Sequence, residues 1–165
     1  MHKEYGGVFP ALAKREHAKN LVPVLASTLE EAGASIRESS PLTDEQKHTL
    51  EKILEREPEL FSALSVFATE IAPPDIDAIA VTHGPGLEPA LWVGVNFARA
   101  LSYLWNKPMI GVNHMEGHAL SSLAHDEDGV LAIRKANLPL LALLISGGHT
   151  ELVVMNEWLS YALIG

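Results

Sequence analysis

Ile76-Asp77-Ala78-Ile79-Ala80-Val81-Thr82, followed by Gly84-Pro85-Gly86 and then Ala90 to Trp105, is the run that decides the fold class. The first seven residues are short, apolar and β-branched, the texture of a strand buried on both faces. The glycines make a tight loop. Ala90 to Trp105 repeats apolar residues at helical spacing, with Leu91, Val95, Ala98 and Leu101 inward. Met109 to Val112 reads as a second short strand, and His114 to His125 as another helix. Leu138 to Ser146 and Thr150 to Met155 read as two strands joined by Gly147-Gly148-His149. A gap that short requires an antiparallel hairpin, and the glycines supply the positive φ it needs. Strand, helix, strand, helix and hairpin together predict an α/β chain with a partly parallel sheet.

Upstream of this run the texture is helical. Pro10 to Ala32 carries Leu21, Leu25, Thr28/Leu29 and Ala32 at helical spacing, and Gly33 is a natural stop. Pro23 has no amide hydrogen to donate, so it is expected to kink or divide the segment. After a polar loop, Thr43-Asp44-Glu45-Gln46 fits a capping box that opens a charged helix running to about Glu57. Pro58 opens a more apolar helix, with Leu60, Leu64, Phe67 and Ile71 on one face, and Pro73-Pro74 ends it.

Composition narrows the function. The 165 residues are 47% hydrophobic and 20% charged, enough to bury a core. There is no cysteine, which excludes a disulfide scaffold, a cysteine zinc finger and a cysteine nucleophile. The net charge is -9, with eight basic against thirteen acidic residues up to Asp75 and four against eight after it. Neither half is a basic tail for nucleic acid. The longest apolar run, Leu138 to Ile145, is broken by Pro139 and far shorter than the roughly 18–20 residues that span a membrane. No signal-peptide core stands near Met1, and a cytoplasmic location is the expectation.

Three constellations carry chemistry. In His114-Met115-Glu116-Gly117-His118 the two histidines stand four apart, about 40° around a helix axis, so both imidazoles leave from one face. That is metal-ligand spacing, and a structural histidine pair is the alternative. A zinc peptidase is the tempting misreading. Glu116 lies about 200° around from His114, so it points away from a metal held by both histidines and is badly placed as a general base. In Leu144-Ile145-Ser146-Gly147-Gly148-His149-Thr150, a Gly-Gly tip lets backbone amides approach an anion, and Ser146 and Thr150 add hydroxyls. A plain hairpin without ligand is the alternative. In Thr82-His83-Gly84-Pro85-Gly86-Leu87, the following helix N-terminus is a candidate anion site, with a purely structural loop as the alternative. Trp92, Phe97 and Trp105 read as core rather than as a nucleobase stack. His2, His17, His48 and His125 read as surface or capping residues.

Five motifs in order, Tyr5-Gly6-Gly7-Val8-Phe9-Pro10, Arg15-Glu16-His17, Gly84-Pro85-Gly86-Leu87, His114 to His118 and Ser146 to Thr150, make the chain resemble the bacterial tRNA threonylcarbamoyladenosine transferase family, once labelled a glycoprotease. The resemblance covers about 1–33 and 75–165. It implies an actin-like ATPase fold of two related α/β lobes around a cleft, present here in part. Residues 1–137 would be an incomplete first lobe without its opening strands, with a family-atypical helical insertion at 34–74. Residues 138–165 would be the first hairpin of the second lobe. The implied activity is transfer of the threonylcarbamoyl group from threonylcarbamoyl-adenylate to the N6 amine of the adenosine beside the tRNA anticodon.

The same resemblance assigns His114 and His118 as ligands of one divalent metal ion, iron or zinc. It assigns Leu144, Ile145, Ser146, Gly147 and Gly148 as the backbone segment on the adenylate, with His149 and Thr150 as further contacts. It names no catalytic base on this chain. It also implies tRNA, a paralogous actin-like dimer partner and a small ATPase as partners. The family's third metal ligand is an Asp far downstream, its opening Glu-Thr-Ser-Cys-Asp-like strand has no counterpart here, and Ala11 replaces a usual Glu. On this reading the chain is an interior slice of the enzyme, inactive alone and prone to self-association. A non-catalytic scaffold of the same fold is the competing class. A sugar-kinase-like phosphotransferase is more remote, since it gives no reason for the His114/His118 pair.

Overall fold

The computed structural model describes residues 10–38, 40–145 and 150–165. The chain forms two compact units, Met1–Gly111 and Val112–Gly165. The first is mainly helical: α1 (Pro10–Glu31), α2 (Asp44–Ile53), α3 (Pro58–Glu70) and α4 (Glu88–Trp105), with strand β1 (Ile79–Gly84) and the start of β2 (Met109–Asn113). The second holds α5 (His114–Ser121), β3 (Ala124–Glu127), β4 (Val130–Ile133), β5 (Leu140–Ile145), β6 (Thr150–Glu157) and β7 (Ser160–Leu163).

In the first unit, α1 packs on α3 and α4, and α2 packs on both of those. Leu50, Leu60, Leu64, Val93 and Ala100 have no exposed surface, and Leu54 has 1%. Each such leucine or valine contributes about 1.5–3 kcal/mol on transfer from water. Pro23 does not divide α1, which runs unbroken from Pro10 to Glu31. Apolar residues on both sides of it, Leu21 and Val22 before and Leu25 and Leu29 after, bury against the same core. That burial outweighs the roughly 3 kcal/mol cost of an interior proline. The Thr43 capping box forms as expected: the Gln46 amide donates to Thr43 Oγ1 at 3.1 Å, and the Thr43 amide donates to Gln46 Oε1 at 2.9 Å. The helix it opens ends at Ile53 rather than near Glu57.

Strands β1 and β2 pair side by side, with α4 between them in sequence. The Ile79 amide donates to the Pro108 carbonyl at 2.9 Å, and four residues further along His83 lies against Gly111. Both strands therefore advance in the same direction, which makes a parallel β-α-β unit. Ile79 and Val81 are half-buried on the face of β1 that packs with α4. Ala80 and Thr82 are exposed, so within this unit β1 is covered on one face and not on both.

In the second unit, β3 and β4 form one antiparallel hairpin and β5-β6-β7 an antiparallel sheet. The β5–β6 register pairs Leu140 with Met155 and closes at Ile145 with Thr150. Met115 and Ala119 of α5 pack with Leu144, Val153, Ala142 and Tyr161 on one face of this sheet. The opposite face leaves Leu141, Leu143 and Ile145 61%, 60% and 73% exposed.

A buried polar contact ties the helices of the first unit together. The Glu57 carboxylate, 2% exposed, accepts from Lys14 Nζ at 3.1 Å, while Lys14 is 33% exposed. Asn96 Nδ2 of α4 donates to the same carboxylate at 3.5 Å. Removing the cation strands a buried anion, whereas neutralising the anion leaves Lys14 able to reach water. Lys14→Met is therefore expected to cost about 3–5 kcal/mol, and Glu57→Gln, which keeps an acceptor for Asn96, less. Urea unfolding of the two variants checks the order; equal losses would contradict it.

Candidate functional site

Asn113 opens α5 as its N-cap, and its side-chain oxygen accepts from the Met115 and Glu116 amides at 2.9 and 3.2 Å. The helix is amphipathic over two turns. Met115 and Ala119 face the β5-β6-β7 sheet, and His114 and His118 emerge on the exposed side. The Nε2 atoms of the two histidines stand 3.0 Å apart, with ring centroids at 4.7 Å and planes inclined by 34°. Two nitrogens on one tetrahedral zinc, each about 2.0–2.1 Å from it, stand roughly 3.3 Å apart. The separation is that of a ring-to-ring N–H···N hydrogen bond, and it is close to the spacing that two ligands of one ion would have. Among the described residues no cluster of three or more His, Asp or Glu completes such a site.

Glu116 turns the other way, as its place on the helix predicts. Its carboxylate stands beside the Tyr161 hydroxyl of β7. The pKa of that phenol is raised above the ordinary 10.0, first by burial, then by the Glu116 charge and by the acceptor that the Glu116 carboxylate presents to the hydroxyl proton. The hydroxyl oxygen is buried and does not reach full hydrogen-bond geometry with any partner. Glu116 is therefore a partner of the sheet and not a base beside the histidines.

The second predicted constellation is placed in part. Leu144 is 8% exposed and packs with Ala119 and Val153, so its side chain serves the core. Ile145 is exposed, and Thr150 pairs with it at the mouth of the hairpin. Ser146, Gly147, Gly148 and His149 lie outside the described residues, as do Tyr5 to Phe9. The antiparallel pairing on either side of the loop agrees with the reading from its length.

The third constellation differs from its anion reading. Gly84 and Gly86 have φ of +150° and +156°, a region that favours glycine. The following helix α4, however, opens with Glu88 and Pro89. A carboxylate in the first turn repels an anion, and proline removes one of the amides that would bind it. What the loop builds instead is a largely apolar cleft of about 410 Å³ lined by His83, Pro85, Glu88, Leu91, Trp92 and Val95. Trp92 is 46% exposed there, whereas Phe97 and Trp105 are core as expected. The signal for Trp92 was in the sequence: it stands four residues after Glu88, on the helix side opposite Val93, Phe97 and Leu101.

The family model of tRNA N6-adenosine threonylcarbamoyltransferase matches residues 1–40 and 58–165, including the α5 histidines and both sides of the hairpin. The chain belongs to this family. A tRNA N6-adenosine threonylcarbamoyltransferase of Thermomicrobium roseum is 38% identical over 169 residues, and one of Paraburkholderia xenovorans is 38% identical over 165. Each comparison takes in the whole chain and 35% of the relative, so the chain spans about a third of the length of the curated relatives it matches. Residues 41–57, outside the matched segments, carry α2 and Glu57.

Glu116 and Tyr161 supply a test of this helix placement. With Tyr5 and Tyr103 replaced by Phe, Tyr161 is expected to ionise above 10.0, and Glu116→Gln to bring that ionisation down. Stability from the protonated phenol is fully present below about pH 10. It is lost as pH rises through the elevated folded pKa, and it weakens less in the Glu116→Gln variant. Ultraviolet titration of tyrosinate reads the shift. No change on substitution would separate Glu116 from Tyr161.

Proposed function

We propose that the chain is part of an enzyme that transfers the threonylcarbamoyl group from threonylcarbamoyl-adenylate to the N6 amine of the adenosine adjacent to the tRNA anticodon. The observation that carries this is the convergence of His114 and His118 Nε2 atoms to 3.0 Å on the exposed side of α5, in a chain of this family. In this reading the fold is the actin-like ATPase type. Residues 1–137 belong to one lobe and 138–165 begin the second; the insertion expected at 34–74 narrows to 41–57, because 34–40 and 58–74 lie within the family match. The compact second unit starts earlier, at Val112, because α5 packs on β5.

His114 and His118 would hold one divalent ion, iron or zinc, and such an ion acts as a Lewis acid on carbamoyl or phosphate oxygens. The chain's own residues orient that centre. Asn113 fixes the first turn of α5, and Met115 and Ala119 fix its rotation. Leu144 to Gly148 would present backbone groups to the adenylate, with His149 and Thr150 alongside. The amine nitrogen attacks the carbamoyl carbon and gives up one proton to solvent, the carbon–oxygen bond to phosphate breaks with its electron pair going to the phosphate oxygen, and AMP leaves. A chain of net charge -9 offers little general attraction to a phosphate backbone. Most tRNA affinity is accordingly assigned to the rest of the enzyme and to partners, a paralogous actin-like subunit and a small ATPase. A cytoplasmic location fits this work, and no helix among the described residues is long and apolar enough to cross a membrane.

Zinc titration by calorimetry tests the metal reading. The chain is expected to bind weakly, with only two protein ligands, and the His114→Ala/His118→Ala variant not at all. An unchanged titration would exclude the pair as ligands. Supplied with tRNA and threonylcarbamoyl-adenylate, the 165-residue chain is expected to form no modified tRNA; turnover at an ordinary enzyme rate would show that nothing beyond it is needed.

A further inference from the structure

The cleft at the start of α4 has no part in the metal and hairpin chemistry above, yet it is a built concavity. Its volume of about 410 Å³ is within the roughly 300–1,000 Å³ of small-molecule sites. Pro85, Leu91, Trp92 and Val95 make apolar walls, and His83 and Glu88 are its polar groups. Both are held in place. Trp92 Nε1 donates to Glu88 Oε1 at 3.3 Å, fixing indole and carboxylate together. The His83 ring lies so close to β2 that a Cβ on Gly111 would stand 2.8 Å from His83 Cδ2, so a glycine there is what admits the imidazole.

We propose that this cleft takes an unpaired aminopurine base of the adenine type, stacked on Trp92 with its exocyclic amine donating to Glu88. The proposal rests on the reading of the acceptor as an adenosine. Three features favour that chemistry. An exposed indole offers a π-face, and proteins read RNA bases by splaying them out and stacking them on aromatic side chains. Chemistry on a base requires it to be extruded into a pocket. One Glu88 oxygen accepts from the indole while a carboxylate has capacity for several donors, so the other can accept from an amine. The imidazole of His83 can serve a ring nitrogen. The same carboxylate, with Pro89 lacking an amide, disfavours phosphate. The cleft is therefore matched to the neutral, amine-bearing end of a nucleotide and not to its anionic end.

The chain has three tryptophans, so Trp105→Phe with Trp158→Phe leaves Trp92 as the only indole. Adenosine is expected to quench its fluorescence saturably. Inosine, which carries a carbonyl where adenosine has the amine, should bind roughly tenfold more weakly, the worth of one charge-assisted hydrogen bond. Glu88→Leu should abolish that preference. If the double variant does not fold, the shift of the Trp92 Nε1–H proton resonance in the unsubstituted chain, followed through the same titrations, replaces the fluorescence. Equal binding of adenosine and inosine, a preference that survives Glu88→Leu, or tighter binding of AMP than of adenosine would each overturn the proposal. Adenosine binding should persist in the His114→Ala/His118→Ala variant. In the unsubstituted chain, an adenosine preference without any zinc binding fails the metal reading alone, and zinc binding without the adenosine preference fails the cleft alone.

Discussion

The rotation of α5 about its own axis is the constraint on which the chemistry depends. An eight-residue helix has little stability alone, and its orientation comes from what it buries. Met115 and Ala119 sit on the Leu144 and Val153 face of the sheet, and four-residue spacing then leaves His114 and His118 together on the other side. The same packing sends Glu116 toward Tyr161. Apolar contacts thus decide which of three titratable side chains converge and which is withdrawn. A helix turned by a third of a revolution would carry an imidazole toward the sheet and leave no exposed histidine pair.

Much of this was legible in the sequence because it is local. The Thr43 cap, the Pro58 start, the α3 face of Leu60, Leu64 and Phe67, and the spacing of the histidines depend on residues within one or two turns. What was not legible depends on partners far along the chain. The burial of β1 on one face follows from which elements of its unit cover it. The continuity of α1 through Pro23 follows from a core supplied by α3 and α4. Strands β3 and β4, like β7, are not announced by the sequence, for a different reason. Asp128-Gly129 is a strong hairpin signal, and both residues adopt positive φ of 56° and 82°. The flanking segments of four residues are too short for periodicity to announce, and the helical pattern from His114 was extended across them.

The segment outside the family match is not a loose appendage. Leu50 and Leu54 within it are fully buried, and Glu57 at its end carries the buried contact to Lys14 and Asn96. A carboxylate withdrawn from water costs several kcal/mol unless it is paired. Its placement requires α1, the α2–α3 turn and α4 to meet in one arrangement. Apolar residues alone would tolerate small slippage between these helices; an ion pair with an amide on its flank tolerates less. The unmatched residues therefore help to set where α4 stands, and with it the loop at its N-terminus.

Net charge hides the distinction that the two candidate sites reveal. At -9 the chain as a whole repels phosphate, which argues against a role in gripping a nucleic-acid backbone. It does not argue against reading a base, because stacking and a single amine-to-carboxylate bond need no positive field. The first turn of α4, with Glu88 and Pro89, shows the same bias at the scale of one loop. An anion site would place amides there and leave out the carboxylate. On the proposed reading, the acidity of this loop selects against the phosphate end of a nucleotide.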